Sequence, residues 1–147
     1  MLEKIDIPPV WLVLALLVAW LSGRVWSVHG LEGLGAGLIL GGVGVMAVAV
    51  GAMVMAGTTF VPRRDPGVLV TTGLFRFSRN PIYLADAMIL TGAVLFWGAV
   101  LALPLIPLFT VLITFRYIHD EEARLRRAFG AEFERWAARV PRWFWRF

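Results

Sequence analysis

The chain has 147 residues, of which 59% are hydrophobic and 16% charged, against roughly 45–50% and 25% in an ordinary soluble domain. A fold this small has too little interior for that apolar excess, so lipid is the solvent expected around its outer faces. Cysteine is absent, which excludes disulfides, a thiolate nucleophile and cysteine metal ligands, and the net charge of +4 flanks apolar stretches instead of forming a basic nucleic-acid-binding region.

The first apolar stretch, 8–26 (PPVWLVLALLVAWLSGRVW), is long enough at 1.5 Å per residue to cross a hydrocarbon core of about 30 Å. A secretory leader is the rival reading, disfavoured because MLEKID is not basic and no A-x-A cleavage pattern follows. The second stretch, 31–55, is glycine-rich. Gly33, Gly37 and Gly41 stand at i+4 spacing, with Gly44 and Gly51 continuing nearly the same face, and this predicts close approach of another helix there. Its GLGAG follows no strand and has no acidic ribose partner downstream, so it reads as packing and not as a dinucleotide loop.

Residues 56–80 form a connecting loop with prolines, Gly67, Gly73 and four arginines. The interleaved Phe60, Val68, Leu69, Val70, Leu74, Phe75 and Phe77 predict partial burial, since a free linker carries few such groups. Between positions 81 and 115 the only charge is Asp86, and the stretch is too long for one crossing. Two helices, 81–97 and 99–117, share it, with a turn at Phe96, Trp97 and Gly98 and with Pro104 and Pro107 early in the fourth helix. Asp86, about one turn into the third helix, is expected to face the pocket or to pair with an arginine.

The tail, 118–147, is soluble in character. Leu125, Phe129, Phe133, Trp136 and Val140 recur at helical spacing, a stripe expected to lie on the membrane or on the loop. Gly130 is expected to end one helix and Pro141 the next, and the closing RWFWRF reads as an interfacial anchor. The expectation is therefore one all-α, polytopic membrane domain, 1–147, with four transmembrane helices, a cytoplasmic loop and C-terminal amphipathic helices. Twelve of the fourteen cationic residues fall in the loop (Arg63, Arg64, Arg76, Arg79) and in the stretch from Arg116 to Arg146, leaving Lys4 and Arg24. The positive-inside rule makes that side, and both termini, cytoplasmic.

Familiar catalytic constellations are scarce. His29 and His119 have no metal-ligand spacing, so no metal site is expected, and no nucleophile elbow or P-loop occurs. What remains is a polar cluster at one membrane face: Arg79, Asn80 and Tyr83 around the helix-opening Pro81, and Glu121 and Glu122 just beyond the fourth helix. An antiparallel hairpin of the third and fourth helices makes them neighbours, able to hold a cationic or hydroxyl-rich ligand. Taken alone, the two glutamates also fit a solvated helix start with Asp120–Arg124 and Glu122–Arg126 pairs.

TTGLFRFSRNPIY, an apolar hairpin, and then EEARLRRAFGAEFERWAARVPRW together resemble the isoprenylcysteine carboxyl methyltransferase family and its bacterial relatives, over residues 57–143. The family's R-H-P-x-Y-x-G aligns with 79–85, with Asn80 in place of histidine and Ala85 in place of glycine. Asn80 hydrogen-bonds but cannot titrate. The resemblance implies a bacterial inner-membrane methyltransferase using S-adenosylmethionine. It implies cofactor contacts from Leu69, Val70, Thr71, Gly73, Arg79, Asn80, Tyr83, Glu121 and Glu122, with Tyr83 and Arg116 acting at the reaction, Arg116 orienting the acceptor. The acceptor is expected to be lipophilic or small, bearing a carboxylate, thiol or amine, and to enter from the bilayer. A phospholipid N-methyltransferase, a small-thiol methyltransferase and a non-enzymatic membrane scaffold are the competing readings.

Overall fold

The computed structural model describes residues 7–58 and 67–144. Phe60, Lys4, Arg63, Arg64 and Arg146, which carry part of the burial and orientation expectations, lie outside them, as do the last three residues of the aromatic tail. The described residues are helical, without strands.

Helix α1 (Pro8–Val25) opens on two prolines, whose missing N–H groups cost nothing in a first turn. Helix α2 (Glu32–Met55) follows after a short turn. Both are long and apolar enough to cross a bilayer and bury little of themselves inside the fold. Leu40, 73% exposed, and Val13, 62% exposed, illustrate the outward faces. A surface of that kind is stable in hydrocarbon and costly in water.

Helix α3 (Pro81–Phe96) is the element the others surround, packing against α1, α2 and α4 (Leu105–Ile113). Its 16 residues span about 24 Å, so it is shorter than the three stretches with full membrane-crossing length, which are α1, α2 and the continuous helix from Val100 to Phe129. The α2–α3 contact is the closest in the fold. A Cβ on Gly35 would come within 2.6 Å of the Gly92 carbonyl oxygen, and one on Gly42 within 2.9 Å of the Ala85 oxygen. The packed stripe is therefore Gly35, Gly42 and Ala49, spaced by seven. Gly33, Gly37 and Gly44 are exposed, and an added Cβ on them or on Gly51 meets nothing. The expected glycine face is thus corrected except at Gly41, where an added Cβ would lie 3.4 Å from Met88 of α3: with glycines on several sides of α2, spacing alone does not say which side meets the small residues of α3.

At the far end the chain turns at Phe96, Trp97 and Gly98, as the aromatic cluster predicts. Gly98 has φ +58°, and its carbonyl accepts from Val28 N–H at 2.9 Å, tying the α1–α2 turn to the α3–α4 turn. A 3₁₀ turn (Val100–Ala102) leads to Pro104, and α4 begins beyond it.

No helix end separates membrane span from tail. After α4 the chain makes one π turn (Thr114–Ile118) and runs on as α5 (His119–Phe129). The boundary expected at 117 is a change of composition inside one rod. Gly130, with φ +49°, ends α5 as expected, and α6 (Ala131–Ala137) comes next. This last helix stops before Pro141 and unwinds through a turn at 138–140, so Pro141 is not its terminator. The apolar stripe of the tail lies on the loop: Phe133, Trp136 and Val140 are buried with Phe75, Leu69, Val70 and Leu125, and Trp136 Nε1 donates to the Phe75 carbonyl at 3.0 Å.

Candidate active site

Loop, α3 and tail meet at one end of the bundle, and backbone bonds fix the meeting. Arg79 N–H donates to the Pro141 carbonyl at 2.9 Å. The Asn80 side-chain Nδ2 donates to the Arg142 carbonyl at 2.9 Å, and buried Ser78 donates to the same oxygen at 3.4 Å while accepting from Asn80 N–H at 3.1 Å. The sequence placed Asn80 among ligand-binding groups; in the fold its amide clamps the tail to the start of α3.

One turn on, the Tyr83 hydroxyl donates to Glu121 Oε1 at 2.5 Å. Tyr83 is buried on α3 and Glu121 half-buried on α5, so a charged hydrogen bond sits in a largely water-free place, where such bonds are strong. The π turn is part of this geometry. One extra residue in a turn rotates the rest of the rod by about 100° relative to an unbroken α-helix, and Thr114 and Tyr117 within the turn are held from outside. Trp143 Nε1 donates to Thr114 Oγ1 at 3.0 Å, and Trp11 Nε1 donates to the Tyr117 hydroxyl at 3.0 Å.

Glu122 faces a different set of partners. Arg142 binds it through two nitrogens, at 2.8 and 2.7 Å, and Arg79 Nη1 lies 3.2 Å from it. Glu122 is buried, Arg79 nearly so and Arg142 about a third exposed. The bonds to Glu122 hold the Arg142 guanidinium above its ordinary value, whereas burial pushes Arg79 down against the attraction of Glu122. The interfacial anchor expected of RWFWRF is corrected for its first half: Arg142 is in an ion pair with buried Glu122 and Trp143 is in the core, because Glu122 takes the guanidinium, the Ser78 hydroxyl and Asn80 amide donate to the Arg142 carbonyl, and Thr114 Oγ1 accepts from the Trp143 ring.

The other expected residues fall around this centre. Leu69 and Val70 are half-buried and pack in the cluster that also holds Leu125, one turn beyond Glu121; Thr71 is half-buried, and Gly73, φ +58°, is exposed. Arg116 is exposed on the π turn, and Tyr117 beside it is the residue turned inward. Asp86 is buried one turn beyond Tyr83, and the arginine pair expected of it is absent among the described residues. The reading of the sequence missed Ser78, Arg142 and Trp143. The Pro-Arg-Trp at 141–143 was visible, but its aromatic-cationic alternation looked interfacial.

The residues fit a cofactor that is cationic at sulfur and zwitterionic at its amino-acid end. Glu121 and Tyr83 supply buried negative and polar groups, and Arg124 Nη1, buried beside Glu121, has no hydrogen-bond partner. An orphaned guanidinium N–H next to an acid is suited to a ligand carboxylate.

A family model described as phospholipid methyltransferase matches residues 31–132, a stretch that holds α2, α3, α4, α5 and the Tyr83, Glu121 and Glu122 side chains. The chain belongs to the phospholipid methyltransferase family. That family and the one its motifs resemble lie in a single superfamily of membrane methyltransferases. No curated protein and no solved structure matches the chain. The phospholipid methyltransferase match ends before Arg142, so the tail half of the Glu122 cluster lies outside it.

Proposed function

We propose that this protein transfers a methyl group from S-adenosylmethionine to an acceptor supplied by the bilayer, and that the acceptor is the amine of a phospholipid headgroup. The observation that carries the reading is the Tyr83–Glu121 bond, made across the α3–α5 junction at the end of the bundle where loop and tail meet, inside the stretch matched by the phospholipid methyltransferase family. Family membership supports the phospholipid over a small thiol.

When bound, S-adenosylmethionine supplies a methyl group already activated on a sulfonium, so little covalent work falls to the protein. Glu121, fixed by Tyr83, would hold the cationic part of the cofactor, and Arg124 would take its carboxylate. Leu69, Val70 and Thr71 would wall the adenosine. Phe133 and Trp136 close the back of that wall and exclude water, which strengthens every charge interaction within. Positioning two reactants in this way is worth several kcal/mol of barrier; the headgroup amine would attack as the neutral base, its ammonium proton having passed to water. A site at a helix end also lets a soluble, charged cofactor and an apolar acceptor arrive from different solvents. The clustering of Arg76, Arg79 and the tail arginines supports a cytoplasmic placement of this end.

The test is transfer of labelled methyl from S-adenosylmethionine into a lipid extract by the purified protein. Label in the phosphatidylethanolamine-derived fraction is the expected result. Label confined to water-soluble thiols would replace the acceptor, and no label in any fraction would remove the enzyme.

A further inference from the structure

The Glu122 cluster borders a groove that the cofactor reading does not use. Between α4 and the 137–143 segment lies a cavity of about 420 Å³, with Arg79 and Arg142 among its polar walls, Thr110 and Thr114 on the α4 side, and Val111 and Phe115 at its mouth. Val111 is 52% and Phe115 69% exposed. They belong to the membrane-crossing helix, so the mouth opens onto lipid.

Two guanidiniums share one carboxylate here, which leaves positive charge over. Their hydrogen-bonding capacity is not spent either. Arg142 gives Glu122 its Nε and Nη2, keeping the fork's other nitrogen, and Arg79 Nε is buried without a partner. Arginine forks match the geometry of phosphate oxygens. A cationic floor under an apolar mouth is complementary to one kind of molecule: a phosphate diester carrying acyl chains.

We infer that this groove is the phospholipid subsite, with the headgroup phosphate held by Arg142 and Arg79 and an acyl chain leaving past Val111 and Phe115. This deepens the proposed phospholipid methylation and rests on it. It also gives the adjacent glutamates separate tasks. Glu121 turns to Tyr83 and the cofactor side, while Glu122 holds the two arginines at the groove in register with the start of α3.

The full chain in detergent is titrated with dioleoylphosphatidylethanolamine, with dioleoylglycerol, which lacks the phosphate, and with inorganic phosphate, and bound lipid is counted by native mass spectrometry. Titration with S-adenosylhomocysteine runs in parallel. The phospholipid is expected to bind at least about tenfold more tightly than dioleoylglycerol, the worth of one or two charge-assisted hydrogen bonds. Arg142→Gln should remove that difference. Val111→Trp, at an exposed position where folding is not at stake, should weaken the phospholipid by about tenfold by filling the mouth, with its S-adenosylhomocysteine affinity unchanged. Equal binding of the two lipids, competition by inorganic phosphate at lipid concentrations, or phospholipid binding insensitive to Val111→Trp would overturn the assignment. Loss of S-adenosylhomocysteine binding in the wild type strikes the methyltransferase reading instead, whatever the lipids do.

Discussion

The hydroxyl of Tyr83 lies 2.5 Å from the carboxylate of Glu121, joining positions 38 residues apart in sequence. Because it links the first turn of α3 to the start of α5, the bond reads out whether the two halves of the site are assembled. Tyr83→Phe keeps the ring and its packing but removes the donor. The expected outcome is a loss of stability of up to about 1.5–3 kcal/mol, the worth of a hydrogen bond to a charged group, and, in protein that remains folded, a loss of S-adenosylhomocysteine affinity of about tenfold or more. Parallel calorimetry and thermal melts check it.

Glu122 is flanked by Arg79 and Arg142, and removing it leaves two guanidiniums facing one another. Breaking a buried pair from one side costs about 3–5 kcal/mol. Arg142 is about a third open to solvent, which screens its share, so Glu122→Ala is expected to destabilise by about 2–3 kcal/mol. The double variant Glu122→Ala, Arg142→Ala should recover part of that loss. Denaturation of all three proteins in the same detergent measures it.

The amide of Asn80 holds the Arg142 carbonyl, and nothing in that task needs a titrating group. Asn80→Ala should free the tail, seen as faster proteolytic cleavage beyond α6. Asn80→His, which restores the residue of the related motif, keeps a ring N–H donor and is expected to retain most of the protection.

The glycines of α2 divide into two classes. Gly35→Leu and Gly42→Leu drive side chains into the backbone of α3 and are expected to prevent stable folding. Gly33→Leu and Gly37→Leu point where an added Cβ meets nothing, and should be tolerated. Detergent-solubilised yield and melting temperature separate the classes.

Much of the fold was legible because its signals are local. Apolar runs of fixed length, the Phe96–Trp97–Gly98 turn and Gly130 at the end of α5 each speak through their own composition. The nearness of Tyr83 to Glu121 was legible at one remove, since an antiparallel hairpin brings its two ends together. The illegible parts depend on partners distant in sequence. Which glycines of α2 are covered depends on Gly92 and Ala85 of α3. The inward turn of Arg142 and Trp143 depends on Glu122 and Thr114, and the π turn has no residue signature of its own. That Asp86 is kept off the outer face follows from the cost of a charge facing lipid, a rule that needs no partner, whereas the arginine pair expected of it did not form among the described residues.

The most direct test is calorimetric titration of the wild-type protein and its Glu121→Ala variant with S-adenosylhomocysteine. Saturable one-site binding by the wild type, lost or weakened at least about tenfold in the variant while both remain folded at the titration temperature, is what a Tyr83–Glu121 cofactor site predicts. No binding by folded wild-type protein, or equal binding by the two, would contradict it.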